Sequence, residues 1–201
     1  AETAEGAGDP DERAEILEQL RVEAGGLQRV VADFMELARP LSARPELHDI
    51  RPALEEAAEM IRGEHSGPGP RVAVSLPSEP LLAQVDRRHV RGITLNLLRN
   101  AAQAGQRIWL TGEVARGEVV ITVRDDGPGV AESIRDRVFE AFVTDREDRA
   151  GLGLAIVRRL AEGNRGRVEL TPTKDTAGDG AEFRVFFRGA EDLPPEHPGA
   201  V

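Results

Sequence analysis

ITLNLLRNAAQAG, residues 93–105, sets two amides into an otherwise apolar helical run. Ile93, Leu95, Leu97 and Leu98 supply the greasy side, and Gly105 is the expected stop of a helix over 88–104. Asn96 and Asn100 are four apart and therefore share a face. A solvated polar stripe would account for them. So would amide oxygens turned toward phosphates and a hydrated Mg²⁺, which commonly takes few protein ligands. Two glycine segments follow. DDGPGV (125–130) comes directly after the alternating run EVVITVR (118–124), and GLGL (151–154) opens a helix over 152–163. Glycines at a strand end let backbone approach a flat or anionic ligand, and Asp125 there can accept a hydrogen bond from a base's amino group. A glycine turn at a helix N-terminus presents free N–H groups to phosphates. Taken singly, either segment could be a plain turn.

Outward from these segments, the periodicity predicts strands at 71–76, 81–85, 107–111, 118–124, 167–170 and 182–187, with a helix at 50–61 and a short helix and turn at 131–142. Helices gathered on one face of a mixed, mostly antiparallel sheet make a two-layer α+β sandwich. Before it, Leu20, Ala24, Leu27, Val31, Phe34 and Ala38 form a narrow heptad seam on a long helix over 13–39, interrupted by Gly25-Gly26 and ended by Pro40. The expected divisions are a disordered leader (1–12), the long helix plus a Pro-rich linker (13–46), the α+β domain (47–188) and a flexible tail (189–201).

The chain has 201 residues, 40% of them hydrophobic, enough for one core plus an appendage. With 36 acidic against 26 basic residues its net charge is −10, which disfavours general nucleic-acid binding. The absence of cysteine excludes disulfides and Cys-ligated metals. No apolar run approaches the ~20 residues of a membrane span, so this segment is expected to be cytoplasmic and free of membrane contact. Every basic residue but Lys174 is arginine, so a cationic phosphate contact is expected to be arginine.

Taken in order, ITLNLLRNAAQAG resembles the N box, DDGPGV the G1 box, VFEAFVT (138–144) the F box and GLGLAIVRRLAEGNRGRVEL (151–170) the G2 box of sensor histidine kinases. Those kinases share an ATP-binding superfamily with DNA gyrase, a heat-shock chaperone and MutL. The resemblance covers about residues 50–188 and implies a Bergerat-type sandwich binding ATP and Mg²⁺. It implies that Asp125 reads the adenine amino group, Asn100 holds Mg²⁺ and Asn96 lies beside the phosphates. Gln103, Gly127, Gly129, Phe142, Thr144, Arg146, Leu152 and Leu154 complete the implied ATP site, with 143–150 as a lid hinged at Gly151 and Gly153. Many relatives carry a lysine after the Phe-Thr segment, where this chain has Thr144-Asp145-Arg146, so Arg146 or Arg149 is the expected substitute.

The superfamily's ATPases and serine kinases place a general-base glutamate where this chain has Asn96. An amide cannot take a proton from water or a serine hydroxyl near neutral pH, but a histidine acceptor is itself nucleophilic. The residues therefore favour a histidine kinase over a serine kinase, an ATPase or a degenerate dimeric interaction module. The family's acceptor motif is absent. His48 has a tempting context, HDIRP, but follows Pro40 and Pro45 and reads as a boundary residue; His65, His89 and His197 read as surface histidines. The long helix resembles the second dimerisation helix. The expectation is a homodimer through it and a preceding helix that carries the acceptor, with a response-regulator receiver domain as partner.

Overall fold

The computed structural model describes residues 10–40, 42–64, 69–145, 150–171 and 180–192. The chain divides into two compact units, Ala1–Arg39 and Pro40–Val201. The first is the helix α1, Pro10–Ala38, which runs unbroken through Gly25-Gly26. Leu20, Leu27, Val31, Phe34 and Met35 are all exposed along it.

The second unit contains β1 (Glu46–Asp49), α2 (Arg51–Gly63), β2 (Arg71–Ser75), β3 (Leu82–Val85), α3 (Arg87–Ala104), β4 (Arg107–Ala115), β5 (Glu118–Asp125), α4 (Gly153–Gly163), β6 (Arg167–Thr171) and β7 (Glu182–Arg188). Five strands form one sheet in the order β2-β4-β5-β7-β6. β2 and β4 are parallel and the other neighbours antiparallel. The mixed, mostly antiparallel sheet with helices packed against it is the α+β sandwich that the pattern implied. Pro52 falls in the first turn of α2, where its missing N–H costs nothing. Asp86 caps α3 by accepting from the Arg88 N–H at 3.0 Å. Arg116 and Gly117, both at positive φ, close a tight β4–β5 turn whose twist suits a hairpin.

The core lies between sheet and helices. Leu54 and Ile61 of α2, Ile93 and Leu97 of α3, and Ile156 and Leu160 of α4 meet Ile108, Leu110, Ile121, Val185 and Phe187 of the sheet. Each such side chain contributes roughly 1.5–3 kcal/mol on burial. On the sheet's other face the Trp109 ring carries two guanidinium groups, from Arg107 and Arg124, each 5.6 Å from its centroid.

Three local expectations need correction. The short helix within residues 131–142 is a 3-10 helix, Glu132–Arg137, and not an α-helix. Phe142 sits at φ 66°, a left-handed conformation that helical continuation forbids. β4 extends four residues beyond the expected end, to Ala115. Finally, β2 and β3 belong to different sheets, because β3 pairs antiparallel with β1 in a separate two-stranded ribbon. His48 lies in β1, in extended backbone and not on a helix.

Candidate functional site

β5 delivers Asp125 to the end of the central sheet, where it is 3% exposed. Its Oδ1 accepts from the Gly127 N–H at 2.8 Å and the Ala181 N–H at 3.3 Å. Its own N–H donates to the Ala181 carbonyl at 3.0 Å. Burial pushes the Asp125 carboxyl above the usual aspartate range, against the pull of the two backbone donors. The neighbouring Asp126 goes the other way. It accepts from the N–H groups of Gln106 and Arg107 and from the Arg107 guanidinium at 2.9 Å, which hold its carboxyl down at about 2. Asp126 is thereby committed to tying the loop to β4.

The loop after β5 rests on the last turn of α3. A Cβ on Gly127 would meet the Ala104 carbonyl oxygen at 2.6 Å and Asp125 Oδ1 at 2.8 Å, so no larger residue fits without displacement. Gly129 lies at φ 78°. Gly180, just before β7, is packed so closely on the Asp125 carbonyl that a Cβ would overlap it. Gly180 and Ala181 were not legible as site residues; a glycine at the start of the last strand was the only signal.

Along α3, Asn96 and Asn100 are half-buried. The Asn96 Nδ2 donates to the Gly92 carbonyl one turn back at 2.9 Å, which leaves its oxygen as the atom on offer. Among the described residues, the Asn100 amide makes no hydrogen bond. The N-terminus of α4 is set against both: a Cβ on Gly153 would lie 3.3 Å from Asn96 Oδ1 and 3.6 Å from Asn100 Oδ1. No side chain caps α4, so its first N–H groups and the positive end of its dipole stay available. The two amides and this helix end converge as expected. Gln103 is exposed one turn after Asn100.

The approach to α4 is strained. Gly151 lies at φ 65° and its carbonyl accepts from the Phe142 N–H at 2.9 Å. Phe142 is 67% exposed, whereas Leu152 is buried and Leu154 half-buried. Thr144 is half-buried. Arg146 and Arg149, with the middle of the expected lid (146–149), lie outside the described residues, as do His65 and His197. Phe139 packs edge-on against Phe183, with centroids 6.1 Å apart, and anchors this segment to β7.

His89 corrects the sequence reading. It is no free surface histidine, since its Nδ1 is 3.0 Å from the side-chain Nδ2 of Asn164. Among the described residues no group of three or more His, Cys, Asp or Glu side chains could hold a metal ion. A cation at Asn100 would rest on one neutral amide, which suits Mg²⁺ completed by phosphate oxygens and water. No helix among the described residues is long and apolar enough to cross a membrane.

Residues 85–191 match the profile of the histidine kinase-, DNA gyrase B- and HSP90-like ATPases. The chain belongs to this ATPase family. Its relatives within the family include sensor histidine kinases. The C4-dicarboxylate transport sensor protein DctB of Rhizobium meliloti is 30% identical over 146 residues, which span 70% of this chain and 23% of that protein. The nitrogen regulation protein NtrY of Azorhizobium caulinodans is 31% identical over 177 residues, 83% of this chain and 22% of that protein. Among solved structures, full-length ShkA in complex with AMPPNP is similar with a TM-score of 0.70 and 33% identity, covering 94% of this chain and 41% of that one. The chain thus spans under a quarter of these two curated relatives' length. It carries the family's ATP-binding domain of the histidine kinase type.

Proposed function

We propose that the second unit binds Mg·ATP and donates its γ-phosphoryl group to a histidine, in a sensor kinase that passes the phosphate on to an aspartate of a response-regulator receiver domain. The observation that carries this reading is the convergence of Asn96 and Asn100 on the uncapped N-terminus of α4, where a Cβ on Gly153 would lie 3.3 Å from Asn96 Oδ1 and 3.6 Å from Asn100 Oδ1. In this reading Asp125 Oδ2 accepts from the adenine amino group, because Oδ1 is held by Gly127 and Ala181. Gly127 and Gly129 let the loop pass close to the base. Gly151, Leu152, Gly153 and Leu154 present their backbone to the phosphates, Asn96 and Gln103 flank them, Phe142 borders the lid, and Thr144 and Arg146 belong to it.

Asn100 would hold Mg²⁺, which supplies charge neutralisation on the phosphates when bound. The chain's own residues orient the nucleotide and stabilise developing charge, the protein's main contributions to phosphoryl transfer. No general base is required. A neutral imidazole attacks the γ-phosphorus through its unprotonated nitrogen, the bond to the β–γ bridging oxygen breaks, ADP leaves, and the proton on the other ring nitrogen passes to solvent. Asn96 occupies the site's one base position with an amide that cannot accept a proton, which argues against a serine kinase or ATPase. His48, paired at 3.7 Å with Glu46 in β1, is not the acceptor in this reading. α1 exposes Leu20, Leu27, Val31 and Phe34, a surface suited to a helical homodimer.

The test is direct. The domain should bind ATP more tightly than GTP in a Mg²⁺-dependent manner, and should phosphorylate a dimerisation fragment bearing the family's acceptor histidine. Equal affinity for ATP and GTP, or transfer that survives Asn100→Ala, would refute these assignments.

A further inference from the structure

α3 and α4 run antiparallel, and one polar knot holds the end of the pair far from the phosphates. Asn164, at the C-terminus of α4, is 2% exposed and makes three side-chain bonds. Its Oδ1 accepts from the backbone N–H of Asp86 at 2.7 Å. Its Nδ2 donates to the Leu160 carbonyl at 2.7 Å and reaches His89 Nδ1 at 3.0 Å. The two backbone partners fix which amide atom is oxygen and which is nitrogen. His89 must therefore accept at Nδ1 and carry its proton on Nε2. Asp86, itself buried, caps α3, pairs with the Arg88 guanidinium at 2.9 Å, and takes the Arg44 N–H of the incoming segment at 3.3 Å.

From this knot the helix pair is zipped toward the site. Midway, a Cβ on Gly92 would lie 3.2 Å from Leu160 Cδ1. At the far end Gly153 meets Asn96 and Asn100. Eleven residues separate Gly153 from Asn164, a rise of about 16 Å along the helix. α4 has no side-chain cap at its N-terminus. Its axial position over Asn96 and Asn100 is therefore set by packing along its length and by the knot at its other end.

We propose that Asn164 is a positioning residue for phosphate binding: by bonding the Asp86 N–H and His89 it sets the register of α4 on α3, and with it the placement of the α4 N-terminus over Asn96 and Asn100. The proposal rests on the nucleotide orientation given above. It separates two halves of one ligand. The base half, built around Asp125, Gly127 and Ala181, shares no hydrogen bond with Asn164. Loss of the knot should thus weaken triphosphate binding and spare adenosine.

The experiment is calorimetric titration of the full chain with Mg·ATP and, separately, with adenosine, alongside thermal unfolding. Asn164→Ala should weaken Mg·ATP by about tenfold and leave adenosine within about twofold. Asn164→Asp keeps the acceptor for Asp86 but loses both donors. It should weaken Mg·ATP as the alanine variant does and likewise leave adenosine within about twofold. Equal losses for Mg·ATP and adenosine would reduce Asn164 to a general stabilising role and overturn the proposal, as would unchanged Mg·ATP affinity. Should the alanine variant not fold, the near-isosteric Asn164→Asp carries the same comparison, and unchanged Mg·ATP affinity there would overturn the bonding scheme. If instead the unmodified chain binds Mg·ATP no better than adenosine, the nucleotide orientation itself is wrong.

Discussion

The two ends of the nucleotide site are built on opposite plans. At the Asp125 end the polar groups are already engaged by the protein. Asp125 holds Gly127 and Ala181, Asp126 holds Gln106 and Arg107, and Gly127 and Gly180 are jammed against backbone. At the α4 end the polar groups wait. The helix N-terminus has no side-chain cap, the Asn100 amide has no partner among the described residues, and Gly151 and Phe142 hold left-handed conformations beside it. A preformed end can discriminate between ligands, since a mismatched base meets fixed groups that it cannot satisfy. An end with open groups gains its order from the ligand, and that ordering subtracts from affinity.

The largest effect that follows is at Asp125. Asp125→Ala removes the proposed base acceptor and the anchor of two backbone N–H groups, and should reduce ATP binding about a hundredfold while erasing preference over GTP. Titration with both nucleotides checks this, and retained selectivity would break the contrast between the two ends. Next comes Asn100→Ala, expected to weaken ATP about tenfold in Mg²⁺ and hardly at all in chelator, with adenosine unaffected. A Mg²⁺-independent loss would show that Asn100 is part of the rigid half.

Paired glycine substitutions sharpen the comparison further. Gly127→Ala drives a Cβ to 2.6 Å from the Ala104 carbonyl oxygen and should cost about 1–3 kcal/mol of stability. Gly153→Ala meets Asn96 Oδ1 at a looser 3.3 Å; it should cost under about 1 kcal/mol of stability but still impair ATP binding. Thermal unfolding of the two variants, read beside titrations, tests this. If Gly153→Ala proved the more destabilising, the α4 end would be the tighter one.

The smallest effect is in acid. Asp126, whose carboxyl is held at about 2 by Arg107, contributes stability that is complete above the ordinary aspartate range and lost as pH falls from there toward about 2. Asp125 carries the opposite sign. Burial raises its carboxyl, so folding favours its protonated form, and its contribution diminishes as pH rises through the ordinary range to the raised value. Asp126→Asn should therefore flatten the acid limb of the stability curve, whereas Asp125→Asn should raise stability near neutrality and impair adenosine binding. Urea melts from about pH 3 to pH 7 read both slopes.

Much of this was legible in the linear chain because it is local. The apolar spacing of Ile93, Leu97 and Leu98 forces a helix that carries Asn96 and Asn100 on one face, and the glycines after β5 and before α4 mark where backbone must turn. The failures share a cause as well. The short helix expected within 131–142 forms as a 3-10 helix, and the left-handed Phe142 that ends the stretch is bonded to Gly151, a contact that nothing within the stretch announces. The β1–β3 ribbon joins segments more than thirty residues apart, and neither segment names its partner.

What the sequence determined alone is therefore the set of parts: a helix with two amides, two glycine loops, a strand ending in Asp125-Asp126, and a helix opened by Gly153. What the tertiary structure decided is how those parts are charged and held. Two adjacent aspartates become one raised and one lowered carboxyl because burial surrounds the first and Arg107 meets the second. Ala181 reaches Asp125 across 56 positions and Asn164 reaches Asp86 across 78. Desolvation and hydrogen-bond pairing depend on what packs against a group in space, and no periodicity or propensity along the chain encodes that neighbour.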